Sequence, residues 1–427
     1  MFIRQFEKYL RSRATLSPWQ LSGAAADDFR AAVVIPALAE SQSLPQTLAS
    51  LATNPAEFLQ QTLIVVVINN RVEIAAEQFD ENQQTLLWLQ TQPFPNLNLT
   101  WVDASSAGLQ LPAKDGVGLA RKLGFDLALS RLDWDRSPLL ISLDADTLVE
   151  SNYLPAIFAH FKLSRCGGAS LPFRHQPAAN PAQEQAIRRY ELYLRSQLFG
   201  LQQAGSPYAY HSIGSAFACR AAAYVKAGGM NRRLAGEDFY FLQQLAKTSG
   251  VEMLSGTVVQ PSPRFSARVT FGTGRAVQGQ VEQGEELFGF TSVAAFQVLQ
   301  GWLRLVDREW AASAATLLAA AAALSPILVK TLQGLDFATN WQKLQQQHRR
   351  QAQFLSAFHC WFDGLRTRQL LARLDAEQTV ARVELIEELL AWGGYPGQKS
   401  GAAQLETFER LQGVFSTRGA AMSNTPD

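Results

Sequence analysis

The chain has 427 residues, 47% of them hydrophobic, and its 38 Lys and Arg residues nearly balance 37 Asp and Glu, which leaves a net charge of +1. This length exceeds one ordinary compact domain and predicts two or three domains, while the balanced charge argues against a nucleic-acid partner. Three cysteines without metal-type spacing argue against a disulfide framework and a zinc site, and the charged N-terminus has no signal-peptide core, so we expect a cytoplasmic protein.

The first part of the chain alternates predicted helices and strands. After a short amphipathic helix over residues 1–16, a strand over 31–36 ends at Pro36, and Glu40 follows in the loop. Apolar runs predict further strands over 63–68, 97–102 and 139–143, and helices are expected over 43–51 and 116–130. This alternation predicts an α/β fold with a mostly parallel sheet covered by helices on both faces.

From about residue 150 the pattern becomes mainly helical. Helices are predicted over 183–201 and 239–247, and only helical patterning follows from about 280 to 415. The uncharged segment 311–329 has nearly the length of a membrane span, but its alanine content favours a buried, close-packed helix. We predict four parts of the chain: an N-terminal helical extension (1–26), an α/β domain (27–278), a C-terminal helical domain (279–418) and a disordered tail (419–427).

The sequence Asp144-Ala145-Asp146 directly follows the apolar run 139–143. Residues two apart on an extended segment point to the same side, so Asp144 and Asp146 can share one hard cation. Mg²⁺ and Mn²⁺ prefer oxygen ligands and are commonly held by one or two carboxylates plus substrate phosphates. The pair therefore predicts a metal that carries a diphosphate, although the same pattern also occurs in an ordinary polar turn.

Three further motifs accompany the acidic pair. Asn70, at the tip of the second strand, has an amide suited to a nucleobase or ribose, and equally to a turn. The helix start at Gly116 suits a phosphate if its N–H groups are exposed, and Arg121 can add a bidentate contact or be a solvated surface charge. Glu237-Asp238 opens a later helix, where acidic residues also stabilise the helix dipole.

In this order the motifs resemble the family 2 glycosyltransferases with the GT-A fold, over about residues 30–275. The resemblance implies inverting transfer of a sugar from a nucleotide-diphosphate donor to a hydroxyl group. It assigns Asp144 and Asp146 to Mg²⁺ or Mn²⁺ and to the donor diphosphate, and Asp238 to the general base, with Glu237 beside it. The sequence leaves open which of these last two carboxylates points inward. The matching segments are 33–36, 118–122, 143–146, 228–230 and 236–238.

The resemblance also implies residues that line the substrate pockets. Arg268 and Arg275 lie in a segment rich in Gly and Arg that is suited to close over the diphosphate. Some related enzymes use a histidine after the base as an extra metal ligand. This chain has no histidine between Asp238 and His348, which leaves metal dependence open. The donor side comprises Pro36, Glu40, Asn70, Arg121, Ala145, Arg268 and Arg275, and the acceptor side comprises Tyr210, His211, Gly214 and Ser215.

Other function classes stay open at the level of sequence. A non-catalytic nucleotide-sugar-binding protein, with a helical domain that docks a partner, has the same motifs, as does a retaining transferase on the same fold. A glycoside hydrolase also uses two carboxylates but has no need for a phosphate-binding helix start. The donor nucleotide, the sugar, the acceptor and the oligomeric state are undetermined, and peripheral contact with the inner face of the membrane is one option for the helical domain.

Overall fold

The structure is a computed structural model that describes residues 2–23, 26–264, 289–376 and 382–414, together with 278, 279 and 281. Residue contacts divide the chain into two compact units. The first unit comprises 1–187, 211–285 and 411–427, and the second comprises 188–210 and 286–410. The predicted tail over 419–427 lies outside the described residues.

The first unit is built on an eight-stranded sheet. Its strands are β1 (Ser22–Gly23), β2 (Ala31–Ala37), β3 (Thr62–Asn69), β4 (Asn98–Ala104), β5 (Leu139–Ser142), β7 (Gly168–Ser170), β8 (Phe217–Arg220) and β9 (Val251–Met253). They lie in the order β1-β4-β3-β2-β5-β8-β7-β9, in which β4, β3, β2 and β5 are parallel and β8 is antiparallel to both its neighbours. Strands β6 (Leu148–Val149) and β10 (Val259–Gln260) form a separate antiparallel pair. The prediction of an α/β fold with a mostly parallel sheet is confirmed.

The neighbouring strands β2 and β3 lie in the core of the first unit. Every residue of β2 and β3 is buried, which is typical of parallel strands covered on both faces. The sequence predicts an end at Pro36, but β2 continues to Ala37, and Pro36 lies opposite Val67. The pairing of β2 with β5 stops at Val34, so Pro36 has a ladder neighbour on one side only and its missing N–H group is tolerated.

Nine α-helices are interspersed with these strands along the chain among the described residues. They are α1 (Phe2–Ser12), α2 (Leu44–Ala52), α3 (Ala56–Leu59), α4 (Ala76–Gln90), α5 (Val117–Ala128), α6 (Tyr153–Leu163), α7 (Pro181–Gln203), α8 (Ala221–Ala227) and α9 (Glu237–Ser249), and α7 ends in the second unit. Helix α4 has no hydrophobic periodicity that would predict it. Its buried stripe begins with the polar residues Asn82 and Thr85 before Leu86 and Leu89.

The second unit is helical among its described residues. Its further helices are α10 (Val293–Arg308), α11 (Ala314–Leu324), α12 (Pro326–Gly334), α13 (Phe337–Gln347), α14 (Gln351–Trp361), α15 (Gly364–Leu374), α16 (Arg382–Trp392) and α17 (Gly401–Leu411). Their core is aromatic. Trp302 packs edge-on against Phe337 and Phe358, and Trp341 packs edge-on against Phe354.

The prediction of one buried helix over 311–329 is wrong. The helical conformation is interrupted at Ser325. Its hydroxyl accepts hydrogen bonds from the N–H groups of Ile327 and Leu328 and so caps the start of α12. Only Leu317 and Ala321 of α11 are buried, and most of its alanines are not. None of the helices within the described ranges has the length and apolar character that a membrane crossing requires.

Candidate functional site

Three parallel strands deliver polar residues to one edge of the sheet. Glu40 follows β2, Asn70 follows β3, and Asp144 follows β5. Because these strands run in the same direction, their carboxyl ends meet at the same edge. In open α/β sheets this edge is where ligands bind. The candidate site is therefore the set of loops that follow β2, β3 and β5.

Arg121 on α5 links the two acidic motifs. Only 2% of this residue is exposed, and its guanidinium donates hydrogen bonds to both Asp144 and Glu237. Its Nε donates to the hydroxyl of Ser142 at 3.0 Å. A Cβ atom on Gly214 would lie 2.4 Å from Nη2 of Arg121, so the missing side chain makes room for the guanidinium. Arg121 thus fixes the loop after β5 relative to the start of α9.

The start of α5 is only partly exposed, because Gly116 and Val117 are half-buried. A Cβ atom on Gly118 would lie 2.6 Å from the carbonyl oxygen of Arg233 and 3.0 Å from that of Asn231. Backbone from the loop before α9 therefore packs directly against the first turn of α5, which is buried from Gly118 onward. Phosphate binding at this helix start stays a prediction. A contact between Arg121 and a diphosphate stays a prediction, since the described contacts of its guanidinium are with protein groups.

The structure separates the positions of Glu237 and Asp238. Glu237 is buried against Arg121, and its backbone carbonyl accepts a hydrogen bond from Asn231 Nδ2 at 2.7 Å. Burial raises the pKa of Glu237 to about 7, although Arg121 opposes the shift. Asp238 is half-buried, and its Oδ1 accepts a hydrogen bond from the N–H of Phe239 at 2.7 Å. Asp238 is therefore the more accessible of the two carboxylates.

A second arginine holds the other acidic residue of the Asp-x-Asp sequence. Nε of Arg264 lies 2.8 Å from Oδ2 of Asp146, and Nη2 pairs with the carboxylate of Glu40. This contact joins the loop after β2 to the loop after β5. Burial raises the pKa of Asp146 to about 6, while Arg264 acts in the opposite direction. Arg264 and Glu40 are 224 residues apart, so no local pattern in the sequence indicates this contact.

Asp144 and Asp146 offer oxygen donors to a divalent cation that brings ligands of its own, although the chain turns at 145–146 instead of continuing as the extended segment predicted from the sequence. Their side chains are 36% and 19% exposed, and carboxylate oxygens are suitable donors for Mg²⁺ or Mn²⁺. Among the described residues, no group of three His, Cys, Asp or Glu side chains is arranged to hold a metal. The rest of a metal shell would therefore come from water and phosphate oxygens, as is common for Mg²⁺.

Two side chains that sequence reasoning missed hold the backbone of the Asp-x-Asp loop. Thr47 Oγ1 on α2 donates to the carbonyl of Ala145 at 2.8 Å, and the Ala145 side chain is buried. Gln176 Nε2 donates to the carbonyl of Asp146 at 3.0 Å. Both contacts link residues far apart in the chain, so no local pattern indicates them.

The side-chain amide of Asn70 is engaged within the protein. Its oxygen accepts hydrogen bonds from Asn82 Nδ2, at 3.0 Å, and from the hydroxyl of Ser105. Its nitrogen donates to the carbonyl of Arg71 at 2.9 Å. Asn82, missed from the sequence, also accepts from the N–H of Ala39 at 2.8 Å, where the backbone has a φ of +48°. Contact of Asn70 with a nucleobase stays a prediction, and the observed role is to join strand ends.

The residues predicted on the acceptor side belong to different units. His211, Gly214 and Ser215 lie in the first unit, and Tyr210 lies in the second. His211 is buried, with its Nε2 3.2 Å from Oε1 of Gln412. Ser215 is also buried. Binding of an acceptor by these residues stays a prediction.

The remaining donor-side predictions have different outcomes. Pro36 is a buried residue of β2 near the strand end, and Glu40 is buried against Arg264. Arg268 and Arg275 lie outside the described residues, so their contact with a diphosphate stays a prediction. The described part of the site therefore consists of Glu40, the Asp-x-Asp loop, Glu237-Asp238 and two arginines.

Comparison with known proteins gives only distant likenesses. No family model and no curated protein matches the chain. Crystal structures of TarS from S. aureus are 14% identical with a TM-score of 0.38. One covers 67% of this chain and 45% of its own, and a 1–349 form in complex with UDP-GlcNAc covers 91% and 93%.

A mannosyltransferase from Pyrobaculum calidifontis, in complex with GDP-Man and Mn²⁺, is 15% identical with a TM-score of 0.37 and covers 85% of this chain and 94% of its own. Of the first TarS structure, this chain spans less than half the length. At these values the likeness does not bear on function, and the carboxylates and arginines at the sheet edge are the features that do.

Proposed function

We propose that this protein is an inverting glycosyltransferase of the GT-A, family 2 type, which moves a sugar from a nucleotide-diphosphate donor to a hydroxyl group. The observation that carries the proposal is the contact of Arg121 with both Asp144 and Glu237. Glu237 lies 116 residues after Arg121 in the chain. The contact therefore joins the Asp-x-Asp sequence and the distant Glu-Asp sequence in one site at the ligand-binding edge of the sheet. Such a transfer needs one group for the departing diphosphate and one for the attacking hydroxyl.

Asp144 and Asp146 are the residues that would hold Mg²⁺ or Mn²⁺. The metal, when bound, would stabilise negative charge on the departing diphosphate as a Lewis acid. Asp238 would accept the proton of the acceptor hydroxyl. In the same step the hydroxyl oxygen would bond to the anomeric carbon, and the bond from that carbon to the diphosphate would break. A positioned general base contributes typically 10²–10⁴-fold to such a rate. Attack from the face opposite the diphosphate inverts the anomeric centre.

Glu237 and Arg121 would position the catalytic groups and would not transfer protons themselves. The buried guanidinium bonds carboxylates on both motifs, so it sets the distance between the metal ligands and the base. Hydrogen bonds between charged groups are stronger and more directional than neutral ones. The proposed organisation keeps the domain predictions of 27–278 for transfer and 279–418 for a helical domain, to which no role is assigned.

The first test is donor binding. The protein is titrated by calorimetry with UDP-, GDP- and dTDP-sugars, with and without Mn²⁺, as wild type and as Asp144→Ala/Asp146→Ala. We expect metal-dependent binding of one donor, lost in the double variant. An Asp27→Ala variant, whose exposed side chain pairs with Arg131, is the matched control. Failure of every nucleotide sugar to bind a folded wild-type protein would contradict the proposal.

The second test is turnover with the donor that binds. We expect hydrolysis or transfer that Asp238→Asn lowers by roughly 10²–10⁴-fold without loss of binding. Binding without turnover would indicate a non-catalytic nucleotide-sugar-binding protein. Retention of anomeric configuration in the product would indicate a retaining transferase instead.

A further inference from the structure

Arg264 lies between two acidic residues that come from different strands. Its guanidinium contacts Asp146 and Glu40, which follow β5 and β2. The Glu40 side chain is 6% exposed and that of Asp146 is 19% exposed, so both negative charges are largely shielded from water. A positive group is required beside such carboxylates, because unpaired buried charges are strongly unfavourable.

The two arginines of the site are held very differently. Arg121 is buried, bonded to Ser142 as well as to its carboxylates, and seated on Gly214. The Arg264 side chain is 39% exposed, and its described guanidinium contacts are with carboxylates alone. Arg121 is therefore a fixed part of the site. Arg264 can leave its partners by rotation of its own side chain.

Acidic groups outnumber basic groups around Arg264. Among the described residues of the site, the cations are Arg264 and Arg121. Burial lowers the pKa of each guanidinium, but neighbouring carboxylates raise it further, first Glu40 at Arg264 and first Asp144 at Arg121. This excess of negative charge attracts a further cation. The carboxylates of the described site are Glu40, Asp144, Asp146, Glu237 and Asp238.

We infer that Arg264 is a built-in counter-ion of this site, which competes with a divalent cation for Asp146 and must be displaced when the cation binds. The guanidinium of Arg264 lies on Oδ2 of Asp146, and its positive charge repels a metal ion that approaches the same carboxylate. A donor diphosphate offers oxygen ligands to the metal and a new anionic partner to the displaced guanidinium. Metal and donor should therefore bind together, with weak metal binding in the absence of donor.

This inference rests on the proposed function for the use of the site and adds how its metal binding is regulated. The test is a titration of the full chain with Mn²⁺ alone, followed by the electron paramagnetic resonance signal of free Mn²⁺. We expect Arg264→Gln to bind Mn²⁺ roughly tenfold more tightly than the wild type, because a charged hydrogen-bonding competitor is removed. Arg264→Lys keeps the positive charge and should remain close to the wild type.

Two further variants define where the effect arises. Arg232→Gln removes another arginine–carboxylate pair, with Asp115, and should leave the affinity for Mn²⁺ unchanged. Arg264→Gln/Asp146→Asn should lose the gain, since the released carboxylate is then absent. Thermal unfolding is measured for each variant, and Arg264→Met replaces Arg264→Gln if the latter does not fold.

An Arg264→Gln protein that is folded and binds Mn²⁺ no more tightly than the wild type would overturn the inference. An equal gain in Arg232→Gln would also overturn it, because the effect would then be one of overall charge. These results are independent of donor binding. Tighter Mn²⁺ binding without any nucleotide-sugar binding would contradict only the proposed function.

Discussion

Lys122 and Asp126 form a buried ion pair one turn apart on α5, with 2.8 Å between Nζ and Oδ2. The hydroxyl groups of Tyr9 and Tyr224 both donate to Oδ1 of Asp126, and the N–H of Thr15 donates to Oδ2 at 2.7 Å. Lys122 also donates to Tyr9 Oη at 2.9 Å. The N-terminal helix is thereby attached to the helix that carries Arg121.

Asp126→Asn should strongly destabilise the first unit. The amide cannot neutralise Lys122, whose buried charge is left without its partner, and such a loss costs about 3–5 kcal/mol. The free energy of unfolding in urea measures the effect. Asp27→Asn, whose exposed side chain pairs with Arg131, should change it by less than about 1 kcal/mol. Equal effects of the two variants would show that the buried network does not stabilise the fold.

Gly214→Ala should impair catalysis more than folding. The new methyl group would lie 2.4 Å from Nη2 of Arg121 and force the guanidinium away from Asp144 and Glu237. A displacement of this order in an active site can lower turnover by roughly a hundredfold. The rate at saturating donor is the measurement. Gly334→Ala is the control, because no atom lies within 4 Å of the place its methyl group would take and its backbone is not left-handed.

Asp238→Asn and Glu237→Gln should differ in kind. Asp238→Asn removes the accessible carboxylate and should lower turnover by roughly 10²–10⁴-fold while donor affinity is kept. Glu237→Gln keeps a hydrogen-bond acceptor for Arg121 and should have a smaller effect on turnover. Rates and donor affinities of both variants provide the comparison. A larger loss in Glu237→Gln would assign the base to Glu237.

The stability of the protein should fall as the pH rises, through Glu237. Burial raises the pKa of this carboxyl from 4.5 to about 7, so the folded state binds its proton more tightly than the unfolded state. The favourable contribution is fully present below about pH 4.5 and is lost as the pH rises through about 7. Unfolding in urea at pH 5 and pH 8 tests this in wild type and Glu237→Gln. The same pH dependence in both proteins would rule out Glu237 as its source.

Local patterns predict much of the sheet but little of the site. The apolar runs that become β2, β3 and β5 predict both the strands and the edge at which Glu40 and Asp144 lie, because a parallel strand buried on both faces needs continuous apolar residues. Helix α4 has no such signal, since its buried stripe includes Asn82 and Thr85. Segment 311–329 contains parts of two helices instead of one, because Ser325 ends the first and caps the second despite the continuous run of alanines before it.

The sequence by itself determined the α/β class, the parallel strands β2 to β5 and the acidic motifs, since these depend on residues that are neighbours along the chain. Only the tertiary structure decided which groups those motifs contact. Arg121 reaches Glu237 across 116 residues, and Arg264 reaches Glu40 across 224. It also turned Glu237 inward and left Asp238 accessible. Partners so distant are brought together by packing of the whole unit, which no local periodicity encodes.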